Sequence, residues 1–137
     1  RSTLSSSSAA SDVYKRQKQE RDMATLLITH DLGIVAESAD RVAIMYAGLI
    51  MEYAPVVPIY DHPRHPYTRG LLACVPRLGE KKSRLAPIGG QVPDPRQMPQ
   101  GCPFTARCPE ALSRCSTHRP ELSEVAPGHF VRCWRAQ

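Results

Sequence analysis

The sequence predicts an α/β fold that continues into a small, irregular, cysteine-rich segment. An apolar run at residues 23–29 is followed by a helical pattern and then by a hairpin pattern, an order typical of mixed helix and strand structure. All 13 prolines lie between residues 55 and 137, and four of the five cysteines lie within residues 102–137. The second part of the chain is therefore predicted to be rich in turns and poor in long regular elements.

The first ordered region, residues 18–60, begins with a predicted strand and helix. Residues 23–29 form a nearly continuous apolar run, which is the pattern of a strand covered on both faces in a parallel sheet. Apolar residues then recur three, four and seven positions after Leu32, so that they share one helix face. Asp31 precedes this helix and can accept hydrogen bonds from its free backbone N–H groups.

A β-hairpin is predicted next, because strand-like runs at residues 41–46 and 49–52 flank Ala47-Gly48. One helix and one hairpin cannot cover both faces of a parallel strand or satisfy its backbone hydrogen bonds. We therefore expect the chain to be the C-terminal end of a longer protein, with further strands beside residues 23–29.

Residues 1–17 are predicted to be a disordered or non-native prefix. They are rich in serine, show no apolar period and contain no apolar core of a signal peptide. No apolar run in the chain approaches the roughly 20 residues of a membrane-spanning helix.

Residues 61–137 are predicted to form a separate extension. Pro66 suits the first turn of a helix, in which Tyr67, Leu71 and Val75 share a face and which Pro76 ends. Glycines and prolines then predict a linker with local turns over residues 79–101.

The remaining segment holds four cysteines spaced C-x5-C-x6-C-x17-C, namely Cys102, Cys108, Cys115 and Cys133. Four thiolates can bind a tetrahedral zinc ion or an iron–sulfur cluster. Structural zinc sites usually contain a C-x2-4-C pair, which is absent from this segment, while disulfides or free thiols are a third interpretation. A metal centre would stabilise folding directly, because such a segment has little core of its own.

The sequence LLITHDL at residues 26–32 resembles the switch-histidine segment of ABC transporter ATPases. The motifs ADRV, MYAG and IME, which begin at residues 39, 45 and 50, agree with this resemblance. It implies that residues 18–60 are the C-terminal end of an ABC-type nucleotide-binding domain, a P-loop NTPase fold. It also implies that His30 is the catalytic and nucleotide-binding histidine that contacts the γ-phosphate of ATP at a dimer interface.

The sequence HPRHPYTRGLL at residues 62–72 and the motif IGGQVP at residues 88–93 resemble the C-terminal extension of oligopeptide and dipeptide importers. GCPF at residues 101–104, RCP at residues 107–109 and a late cysteine continue the similarity. In that family the four cysteines are associated with a [4Fe–4S] cluster, so the resemblance implies this cofactor, with zinc as the alternative.

The resemblance implies an ATP-binding subunit that couples hydrolysis of Mg²⁺-ATP to peptide import. The implied partners are a second ATPase subunit, two transmembrane permease subunits and, indirectly, a peptide-binding protein. The implied location is the cytoplasmic face of the bacterial inner membrane, where the subunit is peripheral. The chain contains no G-x-x-x-x-G-K-[ST] loop, no Asp-Glu strand end and no signature helix, so we expect it to be inactive alone.

The alternative is a standalone zinc module that binds nucleic acid through a basic face. Residues 61–137 carry 12 basic and 6 acidic side chains, whereas residues 1–60 carry 6 and 7, so the net charge of +5 is concentrated in the second part. Aromatic side chains that could stack on bases do not alternate with these basic residues. The positive charge around the cysteines also balances the negative charge of a thiolate-ligated centre. We therefore expect no nucleic acid among the partners.

Overall fold

A computed structural model describes residues 24–74 and 87–137. The chain divides into two compact units, Arg1–Ala39 and Asp40–Gln137. The proposed prefix, residues 1–17, lies outside the described residues, as do Val75 and Pro76. The hairpin assigned to the nucleotide-binding domain and the cysteine-rich segment belong to the same unit.

The first unit contains helix α1, Leu32–Ser38, as predicted. Oδ1 of Asp31 accepts hydrogen bonds from the backbone N–H groups of Gly33 at 2.9 Å and Ile34 at 3.2 Å, so the predicted N-terminal cap is confirmed. No residue of this short helix is buried.

The parallel strand predicted at residues 23–29 is wrong as far as it can be followed: residues 24–29 form no strand. Leu26 and Ile28 are 85% and 88% exposed, so these two side chains of the apolar run are not buried. The physical reason is that a strand needs a hydrogen-bonded neighbour, and the sheet formed by the described residues is antiparallel and lies in the second unit.

The predicted hairpin is confirmed as strands β1, Arg41–Tyr46, and β2, Leu49–Pro55. Ala47 and Gly48 both have positive φ, 48° and 78°, as a two-residue turn with the twist of a hairpin requires. Alternate residues of β1 are buried, so this strand covers the core with one face.

Two strands near the C-terminus, β3 at Ser123–Ala126 and β4 at His129–Val131, complete an antiparallel sheet in the order β1-β2-β4-β3. The pairing of Glu52 with Val131 joins the two hairpins. The second hairpin was not predicted, although Pro127-Gly128 is a turn sequence and Gly128 has a φ of 70°.

Short helices connect these strands. Helix α2, Val56–Asp61, follows β2 directly, and helix α3, Pro66–Ala73, matches the helix predicted to begin at Pro66. Single 3-10 turns occur at Pro95–Gln97, Thr105–Arg107 and Ser113–Cys115, which agrees with the predicted irregular extension. Among the described residues no helix has the length and apolar character needed to cross a bilayer.

A buried carboxylate joins three segments of the second unit. Glu52 on β2 is fully buried, and its Oε1 accepts hydrogen bonds from the backbone N–H of Arg64 and from Nε2 of His129, each at 2.7 Å. Its Oε2 accepts the backbone N–H of His65 at 2.9 Å. The carboxylate therefore fixes the start of α3 and strand β4 against β2.

Replacing Glu52 with alanine is expected to destabilise the second unit by about 3 kcal/mol or more, because two buried backbone N–H groups and one histidine lose their acceptor. Urea denaturation of the chain measures the change. Glu121→Ala removes an exposed glutamate and serves as the matched control, with an expected change within about 0.5 kcal/mol. Equal midpoints for the two variants would show that the carboxylate is not a structural centre.

Candidate functional site

The fold brings the four predicted cysteines together around one small cavity. They come from separate stretches of backbone and share the cavity wall with residues of α3 and the C-terminal segment; the four are Cys102, Cys108, Cys115 and Cys133. The free space between the lining side chains, including the open mouth, is about 310 Å³.

The sulfur of Cys115 accepts a backbone hydrogen bond from the N–H of Leu112, whose N lies 3.4 Å from Sγ. The backbone N–H groups of Phe104, Glu110 and Arg135 partly offset the effect of burial on the pKa of Cys102, Cys108 and Cys133 respectively. Backbone N–H groups directed at sulfur stabilise the thiolate, which is the form that binds metals.

The cysteines are free thiols, and no disulfide joins them. Burial raises the pKa of Cys102, Cys108 and Cys133 above the usual thiol range, and the backbone N–H donors offset this only in part. Without a cation the protonated thiols are therefore favoured, and a bound metal centre would displace their protons. Within residues 24–74 and 87–137 no group of three or more His, Cys, Asp or Glu side chains is already arranged to hold a metal ion.

The chemistry of this donor set fits a thiolate-ligated centre, although the sulfurs must rearrange around it. Four soft sulfur ligands suit iron–sulfur clusters and zinc alike. The structure therefore brings the four cysteines to one cavity.

An aromatic cluster forms the inner wall of the site. The ring of Phe104, which is 1% exposed, packs 5.3 Å from the rings of both Tyr46 and Tyr67 and 5.9 Å from the ring of His65. Tyr46 ends strand β1, so the β1–β2 hairpin and the cysteine site share one core. This contact links the two regions that the sequence analysis treats as separate domains.

His65 is a structural residue at this wall. Its Nδ1 accepts the backbone N–H of Tyr67 at 3.0 Å and so caps α3. Burial lowers the pKa of His65 to about 4, so the ring is neutral at pH 7 and Nδ1 is free to accept.

Five arginines of the cysteine-rich segment, which the alternative hypothesis assigns to nucleic acid, hydrogen-bond to backbone carbonyls instead. All but one of the acceptors belong to loops, the exception being Ile50 on β2: Arg107 donates to Ile88 and Gly89, Arg114 to Trp134, Arg119 to Pro99 and Gly101, Arg132 to Ile50 and Pro120, and Arg135 to Glu110. Guanidinium groups have five donors, which suits them to irregular backbone. These contacts do not favour the zinc module that binds nucleic acid.

The predicted catalytic residue, His30, lies in the first unit, directly before the capping residue Asp31. Its side chain is exposed, and the backbone there is ordered by a hydrogen bond from the N of Asp31 to Oγ1 of Thr29 at 3.0 Å. The four cysteines belong to the second unit.

The structural roles of Glu52, of His129 and of the arginine contacts were not predicted from the sequence. Glu52 could have been recognised as a charged residue within the apolar pattern of a strand. Its partner His129 lies 77 positions away, and no local pattern connects them.

Residues 51–115 match the family model for the oligopeptide/dipeptide transporter C-terminal region. The chain is 45% identical over 123 residues to the dipeptide transport ATP-binding protein of Bacillus subtilis. The alignment covers 90% of this chain and 37% of that protein. It is 48% identical over 120 residues to a probable peptide ABC transporter ATP-binding protein of Sinorhizobium fredii, covering 87% of this chain and 36% of that protein. The chain thus spans little more than a third of the length of these relatives.

Gly101 is required by a close backbone approach within the site. The N–H of Cys102 donates to the carbonyl of Cys115 at 2.7 Å, and a Cβ on Gly101 would lie 2.1 Å from that carbonyl oxygen. We expect Gly101→Ala to destabilise the second unit by about 3 kcal/mol, since backbone rather than a flexible side chain must move.

Urea denaturation again measures the change. Gly89→Ala is the matched control, because a Cβ there has no neighbour within 4 Å, and its expected effect is below about 1 kcal/mol. A Gly101→Ala variant as stable as Gly89→Ala would mean that the two cysteine loops do not approach as described.

Proposed function

The chain belongs to the family of peptide ABC transporter ATP-binding proteins and carries their C-terminal region, and we propose that it acts as part of such a subunit in peptide import. The observation that carries this proposal is the 45% identity to a dipeptide transport ATP-binding protein over 90% of the chain. The intact subunit would couple hydrolysis of Mg²⁺-ATP to transport of dipeptides or oligopeptides, with the P-loop NTPase fold supplied mainly by residues that this chain does not contain.

His30 is proposed to act on the γ-phosphate of ATP. Its imidazole can donate a hydrogen bond to a phosphate oxygen or to the attacking water without adding a full fixed charge. Exposure of the side chain and the ordered turn at Thr29 and Asp31 support this role, because the histidine is presented outward from a defined backbone. The chain has no loop of the G-x-x-x-x-G-K-[ST] type, so His30 can act only beside nucleotide held by other residues.

The proposed partners are a second ATPase subunit, two permease subunits and, through them, a peptide-binding protein. The proposed location is the cytoplasmic face of the inner membrane, where ATP is available to a peripheral subunit. ATP binding would close two subunits together, and hydrolysis would release them and change the direction in which the permeases open.

The cofactor proposed for the extension is a [4Fe–4S] cluster held by Cys102, Cys108, Cys115 and Cys133, with zinc as the alternative. The common cavity and the N–H of Leu112 that binds Sγ of Cys115 support this assignment, because both suit thiolates. When bound, the cluster would supply strong bonds between chain segments and a centre able to carry an electron. The chain itself orients the ligands: the N–H of Leu112 binds Sγ of Cys115, and the buried ring of Phe104 lines the same cavity.

A chimera tests the proposed role of His30. Residues 24–137 of this chain would replace the aligned segment of the Bacillus subtilis dipeptide transport ATP-binding protein, and ATP hydrolysis and dipeptide-dependent growth would be measured. We expect the chimera to function and His30→Ala to lower its hydrolysis rate at least about a hundredfold while ATP binding is kept. His62→Ala, at another exposed histidine, is the control and should leave the rate unchanged. An active His30→Ala chimera would refute the assignment.

Anaerobic reconstitution with iron and sulfide tests the cluster. We expect about four irons and four sulfides per chain, with a visible absorbance that dithionite bleaches, and each Cys→Ser change at the four ligands should reduce the content. Cys74→Ser is the control, since its Sγ donates to the carbonyl of Gly70 at 3.2 Å in helix α3 instead of lining the cavity. One tightly held zinc and no retained iron would contradict the cluster and favour the alternative.

A further inference from the structure

Glu110 places a carboxylate beside the four thiols. Among the described residues that line the cavity, it is the one acidic side chain. It follows Cys108 by two positions in the chain. A carboxylate in this place can repel thiolates or replace one of them as a ligand.

Arg69, on helix α3, binds this carboxylate. Its Nη2 donates to both Oε1 and Oε2 of Glu110, each at 2.7 Å. Nε of Arg135 donates to the backbone carbonyl of Glu110 at 3.1 Å and so fixes the main chain of the same residue. Both oxygens of Glu110 are therefore engaged by one cation.

We propose that Arg69 is a positioning residue that determines which ligands the site offers, by binding both oxygens of Glu110 and leaving four thiolates as the coordinating set. This inference rests on the proposed metal centre and adds a determinant of its ligand selectivity. Oxygen ligands favour hard metal ions and sulfur ligands favour soft ones, so engaging the carboxylate keeps the site selective for soft centres.

The side chains of Arg69 and Glu110 are partly exposed, which suits a role in ligand selection better than a role in stabilising the fold. The side chains of Arg69 and Glu110 are 44% and 39% exposed, and ion pairs at such positions contribute about 0–1 kcal/mol to stability. Variants at either position are thus expected to fold, which allows the site to be compared between them.

Titration of the full, reduced chain with cobalt(II) tests the inference, because the intensity of sulfur-to-cobalt charge-transfer absorption follows the number of thiolate ligands. We expect one cobalt bound by four thiolates in the unchanged chain. In Arg69→Gln the released carboxylate of Glu110 should replace one sulfur and lower this absorption per cobalt by about one quarter. The double variant Arg69→Gln/Glu110→Gln should recover the original spectrum, which a merely structural loss at Arg69 would not allow.

Arg96→Gln, which removes the same charge from an exposed position, is the matched control and should leave the spectrum unchanged. If the unchanged chain shows no sulfur-to-cobalt absorption, the cysteine site itself is refuted, and the inference falls with it. If that absorption is present and Arg69→Gln matches the unchanged chain, the role of Arg69 is refuted and the cysteine site stands.

Discussion

The second unit depends on one buried carboxylate. Glu52 is completely removed from solvent, and its two oxygens accept from the start of α3 and from His129 on β4. Burying an ionised group is costly unless its hydrogen bonds are replaced, so these partners are obligatory and not incidental. Because His129 lies 77 positions further along the chain, this carboxylate joins the first hairpin to the C-terminal one.

Around the Glu52 carboxylate, the irregular backbone is stabilised by side-chain hydrogen bonds more than by regular secondary structure. The segment between residues 87 and 122 has three single 3-10 turns and no strand. Its carbonyls are instead satisfied by guanidinium groups, as where Arg107 binds the carbonyls of Ile88 and Gly89 at 2.7 Å each. The excess of positive charge therefore has a structural explanation, in which arginine replaces the hydrogen-bonding partners that a sheet would provide.

Local features could be predicted from the sequence, and features that depend on distant partners could not. The β1–β2 hairpin and the Asp31 cap are encoded within a few residues, by the turn at Ala47-Gly48 and by one side-chain oxygen. The four cysteines were found as a set because their chemistry is specific, whereas Glu52 and His129 are informative only as a pair. The strand expected at residues 23–29 shows the opposite case, since its apolar pattern specifies burial but the residues that would cover it are not among those described.

The aromatic contact between the hairpin and the cysteine cavity implies that the proposed metal centre and the hairpin stabilise each other. Tyr46 of β1 packs on Phe104, and Phe104 lies between two of the proposed ligands along the chain, Cys102 and Cys108. A centre that binds the folded loops and not the unfolded chain adds its binding free energy to the whole cooperative unit. Since β2 belongs to that unit through Glu52, loss of the centre would loosen the hairpin as well as the loops. The extension is therefore better described as part of the same cooperative unit as the hairpin than as an independent module.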